Sequence, residues 1–74
     1  MADGSGEFGI SNLEYDLVTT LSNLLEGQEV LEEYTADAEE AGDNEAAEIF
    51  RTIQSNNQDA AMRIRTALGR IMSR

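Results

Sequence analysis

Small and apolar residues recur every three or four positions along almost the whole chain, and no proline interrupts them. Alternating steps of three and four are typical of helices that pack along one continuous face. The first series comprises Ile10, Leu13, Leu17, Thr20, Leu24, Gly27, Leu31, Tyr34, Ala38 and Ala41. The second comprises Ala46, Phe50, Ile53, Asn57, Ala60, Ile64, Ala67 and Ile71. The sequence therefore predicts an all-α protein with two long helices.

The ends of these helices carry residues that favour helix termini. Ser11 suits an N-cap, and Glu14 follows three residues later, as in a capping box. Gly42 suits the left-handed residue after a helix, and Asp43 suits the cap of the next one. We expect a helix over about 11–41, a bend at 42–43 and a helix over about 44–73. Because so short a connection makes the helices antiparallel neighbours, residues 10–74 are predicted to form a helical hairpin.

The first nine residues, MADGSGEFG, lack this periodicity and predict a flexible N-terminal tail. A chain of 74 residues buries a limited share of its surface and usually needs a disulfide, a metal or a partner subunit. Cysteine is absent, so a disulfide is excluded. Self-association is the remaining way to stabilise the fold if no metal is bound.

The apolar surface is wider than two helices can cover by themselves. A stripe beside the first two series consists of Val18, Leu21, Leu25, Ala61, Leu68 and Met72. Helices with a wide apolar face normally pack against more than one neighbour. We therefore expect a homodimer in which two hairpins form a four-helix bundle. The predicted interface residues are Leu17, Val18, Leu21, Leu24, Leu25, Asn57, Ala61, Ile64, Leu68 and Met72.

Asn57 is the one amide in the second series. A single core asparagine fixes register and partner number in coiled coils, and we expect that role here. The alternative, in which Asn56 and Asn57 bind a substrate or an ion, has less precedent.

The formal net charge is −10, from fifteen acidic residues against five arginines. Such a surface repels nucleic acid and anionic membranes and favours cations or a basic protein partner. The arginines gather at the open end of the hairpin, whereas carboxylates crowd the bend, which favours an antiparallel dimer. No apolar run reaches the roughly 20 residues of a membrane span, and we expect a cytoplasmic protein.

Residues 37–48, DAEEAGDNEAAE, have the length of an EF-hand calcium loop, with glycine at the sixth place and glutamate at the twelfth. Ala41 occupies the fifth place, where an oxygen-bearing side chain is normal. Ala38 and Ala41 also continue the helical series through the loop. The interpretation as a helical bend is therefore favoured over a calcium site.

Catalytic residue types are scarce in this sequence. Histidine and cysteine are absent, which removes the usual general base near neutral pH and the thiolate ligands of metals. A carboxylate-bridged di-iron site would need ligands from both helices. The first helix offers Glu26, Glu29, Glu32 and Glu33, but the facing QSNNQ segment at 54–58 has no carboxylate. We expect no catalytic residues, no cofactor and no metal site.

The stretch from Leu25 to Leu68, with Gly27, Glu29, Tyr34 and the run DAEEAGD before a helix centred on Phe50, resembles a group of short bacterial helical-hairpin proteins. These proteins resemble one half of a ferritin-like or rubrerythrin-like bundle, and their function is unsettled. The resemblance implies the hairpin fold and dimerisation. Ferritin chemistry is not implied, since no Glu-x-x-His element is present.

These observations predict a non-catalytic acidic structural or interaction module that acts as a homodimeric helical bundle. Two alternatives stay open. One is a ferritin-like bundle that handles iron or another divalent metal with carboxylates from two chains. The other is an acidic mimic or antidote that binds a basic protein partner.

Overall fold

The computed structural model describes residues 11–73. The predicted N-terminal tail at 1–9, Ile10 and Arg74 lie outside the described residues. The described chain consists of two helices, α1 at Asn12–Glu40 and α2 at Asn44–Met72, that pack against each other as a hairpin. The prediction of an all-helical hairpin is confirmed, and residues 11–73 contain no strand. No helix in this part of the chain is both long and apolar enough to cross a membrane.

Helix α1 begins with the capping box that the sequence predicts. The Ser11 hydroxyl accepts a hydrogen bond from the backbone N–H of Glu14 at 3.0 Å, and the Glu14 carboxylate accepts one from the Ser11 N–H at 3.1 Å. The two bonds satisfy donors that a helix otherwise leaves to water. They fix where the first turn begins.

A Schellman motif ends α1 and starts the reversal of the chain. The Asp43 N–H donates to the Ala38 carbonyl at 2.9 Å, and the Gly42 N–H donates to the Glu39 carbonyl at 3.0 Å. Gly42 has φ of 77°, a left-handed conformation that favours glycine. The Asp43 carboxylate then accepts from the Ala46 N–H at 2.9 Å and caps α2. Three residues thus reverse the chain and satisfy both helix ends.

The seam between the helices is rotated from the predicted one. Most described members of the predicted series are buried or partly buried: Leu17, Leu24, Gly27, Leu31, Ala38, Ala46, Phe50, Asn57, Ala60, Ile64, Ala67 and Ile71. Seven residues that lie one position after a series member also belong to the seam: Leu21, Gln28, Thr35, Ala47, Gln54, Ala61 and Leu68. By contrast, Leu13, Tyr34 and Ile53 are 51%, 47% and 40% exposed.

This rotation corrects the assignment of Leu21, Ala61 and Leu68 to an outer stripe. The physical reason is a pair of side-chain hydrogen bonds between the helices. The side-chain amide of Gln28 donates to the backbone carbonyl of Gln54 at 3.0 Å, and the side-chain amide of Gln54 donates to the backbone carbonyl of Gln28 at 3.3 Å. Both glutamines therefore occupy seam positions that apolar periodicity alone assigns to other residues.

The core of the hairpin is thin. Within residues 11–73 the buried side chains are three alanines, Ala38, Ala47 and Ala61. Two of them lie near the bend, where small side chains let the helices approach closely. No large apolar side chain in this part of the chain is fully buried. The helices hold each other through partly buried rows and not through an enclosed core.

Candidate functional site

One face of the hairpin carries no charged residue in its two central rows. We call it the uncharged face. Its rows repeat at seven-residue intervals and consist of Leu13, Thr20, Gly27, Tyr34 and Ala41 on α1 and Ala46, Ile53, Ala60 and Ala67 on α2. A shallow groove lined by Tyr34, Ala38, Ala41, Ala46 and Phe50 lies at its bend end, with Asp37 and Asp43 at the margin.

Two aromatic rings cross the uncharged face near the bend. The centroids of Tyr34 and Phe50 lie 5.6 Å apart, and the ring planes are tilted by 52°. This is the separation of a favourable aromatic pair. Phe50 is partly buried between the helices, whereas Tyr34 lies 47% exposed above it. The pair extends the apolar surface outward from the seam.

The opposite face, which we call the glutamine face, mixes polar, charged and apolar side chains. Its groove has a volume of about 870 Å³ and is lined by Leu21, Leu25, Gln28, Glu32, Gln54, Gln58, Ala61, Met62 and Arg65. Gln28 Oε1 is buried there, and it has no hydrogen-bond partner among the described residues. An unpaired buried acceptor loses the hydration it has in the unfolded chain. The glutamine face therefore gives up some stability for its cross-helix hydrogen bonds.

Charge is distributed unevenly along the length of the hairpin. The bend half, residues 27–57, has nine carboxylates and one arginine, a net charge of −8. The described part of the open half, residues 11–26 and 58–73, has four carboxylates and three arginines, a net charge of −1. Almost all of the acidic character therefore belongs to one end of the molecule.

Ion pairs compensate little of this charge. Within residues 11–73, Arg51 forms ion pairs with Glu39 at 3.1 Å and with Glu48 at 3.7 Å. All three side chains are substantially exposed, so each pair stabilises the hairpin by at most about 1 kcal/mol. The arginines of the open end, Arg63, Arg65 and Arg70, make no ion pair within the described chain.

The ten predicted interface residues occupy neighbouring rows on the two helices. Leu17, Leu24, Asn57 and Ile64 belong to the seam rows that border the uncharged face. The remaining residues lie on the glutamine side: Val18, Leu21, Leu25, Ala61, Leu68 and Met72. The predicted interface set stays a prediction.

The acidic stretch at 37–48 has helical geometry where a calcium loop needs to leave it. Asp37 and Glu39 lie in the last turn of α1, and the Asp43 carboxylate caps α2. No cluster of three or more histidine, cysteine, aspartate or glutamate side chains suited to a metal ion occurs within residues 11–73. Glu26, Glu29, Glu32 and Glu33 are exposed.

Sequence reasoning missed the glutamine pair. Gln28 and Gln54 fall at heptad spacing from Leu21 and Ala47, in register with the rows that form the actual seam. That register was the available signal, but a polar residue ranks below an apolar neighbour when a seam is assigned by hydrophobic period. The long, flexible amide lets each residue fill a seam position and still donate a hydrogen bond to a carbonyl.

Comparisons with protein-family models, with curated proteins and with solved structures gave no match. The resemblance to half of a ferritin-like bundle therefore stays a prediction.

Proposed function

We propose that this chain is a non-catalytic acidic interaction module that acts as an antiparallel homodimer, two hairpins forming a four-helix bundle. The observation that carries the proposal is the thin core, in which no residue larger than alanine is buried within the described chain. Within residues 11–73 ten large apolar residues are instead substantially exposed, among them Leu13, Tyr34 and Ile53. The chain has no thiol or imidazole to support the commonest catalytic roles.

Energetics favour this assignment over a lone hairpin. Burying a large aliphatic or aromatic side chain contributes roughly 1.5–3 kcal/mol, and a side chain left half exposed contributes about half as much. The two helices obtain only this partial contribution from their seam rows. A folded domain needs a net stability of roughly 5–15 kcal/mol after paying its conformational entropy. A second hairpin supplies the missing burial.

Thermal unfolding at several protein concentrations tests this proposal. The midpoint temperature of a dimer that unfolds to separate chains rises with protein concentration, because association stabilises the folded form by mass action. We expect the midpoint temperature, measured from the helical circular dichroism signal, to rise clearly between about 5 and 500 μM protein. A midpoint that stays constant over this range contradicts the proposal.

The acidic bend supports a second candidate function, the binding of a basic protein. Its nine carboxylates face a single arginine in the same half of the molecule. An arginine-rich peptide is a suitable probe, since its binding at low salt should disappear as ionic strength rises. Neutralising Glu40 and Glu45 at the bend should weaken that binding. Neutralising Glu14 and Asp16 at the open end should affect it less, and an equal effect of the two pairs contradicts this function.

A further inference from the structure

The uncharged face has no charged residue in its two rows, and five of its nine residues are exposed: Leu13, Thr20, Tyr34, Ala41 and Ile53. We infer that this face pairs with the same face of a second copy, that the two chains run antiparallel, and that Asn57 lies on the two-fold axis. The inference rests on the proposed antiparallel dimer and adds the face and the central contact. Four independent features support it: charge, shape, the central amide and area.

The charge distribution selects the direction of pairing. A parallel pair would place the two bend halves side by side, each with a net charge of −8. An antiparallel pair instead places each bend half beside an open half of net charge −1. Since electrostatic repulsion scales with the product of the charges, the antiparallel pair has far less repulsion.

The shape of α1 fits the antiparallel arrangement. Gly27 lies one residue from the middle of α1, so a two-fold axis at its level packs α1 against its own copy. Leu13 and Ala41 lie fourteen residues to either side, and each Leu13 then faces Ala41 of the second copy. Thr20 and Tyr34 lie seven residues to either side and pair in the same way. A large side chain faces a smaller one in both cases, and two glycines meet at the centre.

Gly27 has no role within a single hairpin that requires glycine. A Cβ at this position would meet no atom within 4 Å, and glycine in the middle of a helix is unfavourable relative to alanine. Close approach of a second α1 at this level gives the missing reason, because two helices come nearest where side chains are smallest.

Helix α2 fits the same axis. Asn57 lies one residue from the middle of α2, level with Gly27, and would meet Asn57 of the second copy. Two carboxamides can each donate one hydrogen bond to the other and accept one from it, so each amide has a partner when it is buried. Phe50 and Ile64 lie seven residues to either side and face each other across the interface. Ile53 similarly falls opposite Ala60.

Area and charge at the margin agree with this pairing. A face formed by two 29-residue helices measures about 43 by 20 Å, which provides on the order of 800 Å² per chain, as in a standard stable interface.

Arg70 lies three residues beyond Ala67 and so borders the uncharged face. In the antiparallel pair Arg70 reaches the level of Asp43 and Glu45 of the second copy. Those carboxylates can pair with Arg70, which has no ion pair within the described part of its own chain.

Adjacent amides on opposite faces provide a matched test. Asn57→Asp and Gln58→Glu each replace an amide by a carboxylate of nearly the same shape, and each adds one negative charge. We expect Asn57→Asp to weaken the dimer at least tenfold at pH 7, because two carboxylates would meet on the axis. Gln58→Glu, on the glutamine face, should change the dissociation constant less than threefold. Sedimentation velocity over a concentration series measures both.

A cross-linking experiment keeps the inference testable if Asn57→Asp fails to fold. The chain contains no cysteine, so an introduced one is unique. With a short bifunctional maleimide, Asn57→Cys should give a covalent dimer in high yield, since both copies present it on the axis. Gln58→Cys, on the outside of the dimer, should stay largely monomeric on a denaturing gel.

The outcomes separate the inference from the proposed function. A monomeric wild-type protein at high micromolar concentration overturns both. A wild-type dimer that responds to Gln58→Glu as strongly as to Asn57→Asp, or that cross-links more readily through Gln58→Cys, overturns the inference and leaves the dimer in place. A dimer weakened at Asn57 alone, with cross-linking at Asn57 alone, supports both.

Discussion

Gly42 is the residue on which the reversal of the chain depends most directly. Its φ of 77° lies in the left-handed region, and its N–H and that of Asp43 close the last turn of α1. A side chain in this conformation places Cβ close to the following carbonyl oxygen. Apart from Gly42 itself and the residues on either side of it, no atom lies within 4 Å of such a Cβ, so the cost at this position is one of local backbone conformation.

We therefore expect Gly42→Ala to lower the free energy of unfolding by about 1–2 kcal/mol. Gly69→Ala is the matched control, since Gly69 is helical and also has open space around its Cβ position. That substitution should leave stability unchanged or raise it by up to about 1 kcal/mol. Urea unfolding at one fixed protein concentration measures both, and equal effects of the two substitutions would refute the role of the bend conformation.

The N-cap of α1 gives a second prediction at the scale of single residues. Ser11→Ala removes the hydroxyl that accepts the Glu14 N–H, and we expect a loss of about 1 kcal/mol. Ser11→Asp preserves an acceptor and places a negative charge at the positive end of the helix, so it should retain most of the stability. If the alanine and aspartate variants unfold alike, the capping box contributes nothing measurable.

At the scale of the helices, the seam combines apolar rows with the glutamine pair. The amides of Gln28 and Gln54 donate across the seam, but Gln28 Oε1 remains buried without a partner. The Gln54 carbonyl belongs to the interior of α2, where it has a helical hydrogen bond independent of Gln28. The pair is therefore replaceable by apolar side chains without leaving a carbonyl unsatisfied.

From this balance we expect Gln28→Leu to raise the free energy of unfolding by about 1 kcal/mol. The leucine gains apolar burial and removes the unpaired oxygen, and these gains exceed the loss of one hydrogen bond. Gln58→Leu on the same face is the control and should be within about 0.5 kcal/mol of wild type, since Gln58 is exposed. A drop in stability for Gln28→Leu would mean that the hydrogen bond outweighs the burial.

The helices and their caps could be predicted from the sequence because those signals are local. Ser11 with Glu14, and Gly42 with Asp43, act on the residues next to them. The seam could not be assigned in the same way, because Thr20 and Leu21, or Ile53 and Gln54, are neighbours that differ by one step around the helix. Which of two adjacent rows faces the other helix depends on packing between the helices, and here glutamine hydrogen bonds help to decide it.

The prediction of interface residues likewise depends on packing between the helices and not on local signals. Leu25 is apolar, but it lines a groove that also holds Glu32 and Arg65. Val18 and Met72 lie seven residues from Leu25 and Arg65 and so belong to the same rows. The hydrophobic character of each residue can be read from the sequence. Its neighbours across the groove cannot, because they belong to the other helix and depend on how the helices pack. The uncharged face becomes visible only when the rows of α1 and α2 are placed side by side.

At the scale of the whole molecule, electrostatic repulsion would oppose the proposed dimer, and burial of apolar surface would favour it. Each copy carries a formal net charge of −10, so two copies repel each other even when they run antiparallel. We expect the dissociation constant of the dimer to fall several-fold between about 0.01 and 0.1 M sodium chloride, over which the Debye length shortens from about 30 to 10 Å. Sedimentation velocity measures this change. Weaker association in salt would instead show that pairs such as Arg70 with the acidic bend dominate the electrostatics.

The central claim is that one hairpin exposes more apolar surface than it can leave to water and that a second copy covers it. Sedimentation equilibrium at several concentrations tests this most directly. The account predicts a mass of twice 8.1 kDa at tens of micromolar, with dissociation and loss of helix together on dilution. A single species of 8.1 kDa that remains folded and heat-stable throughout the concentration range would contradict it.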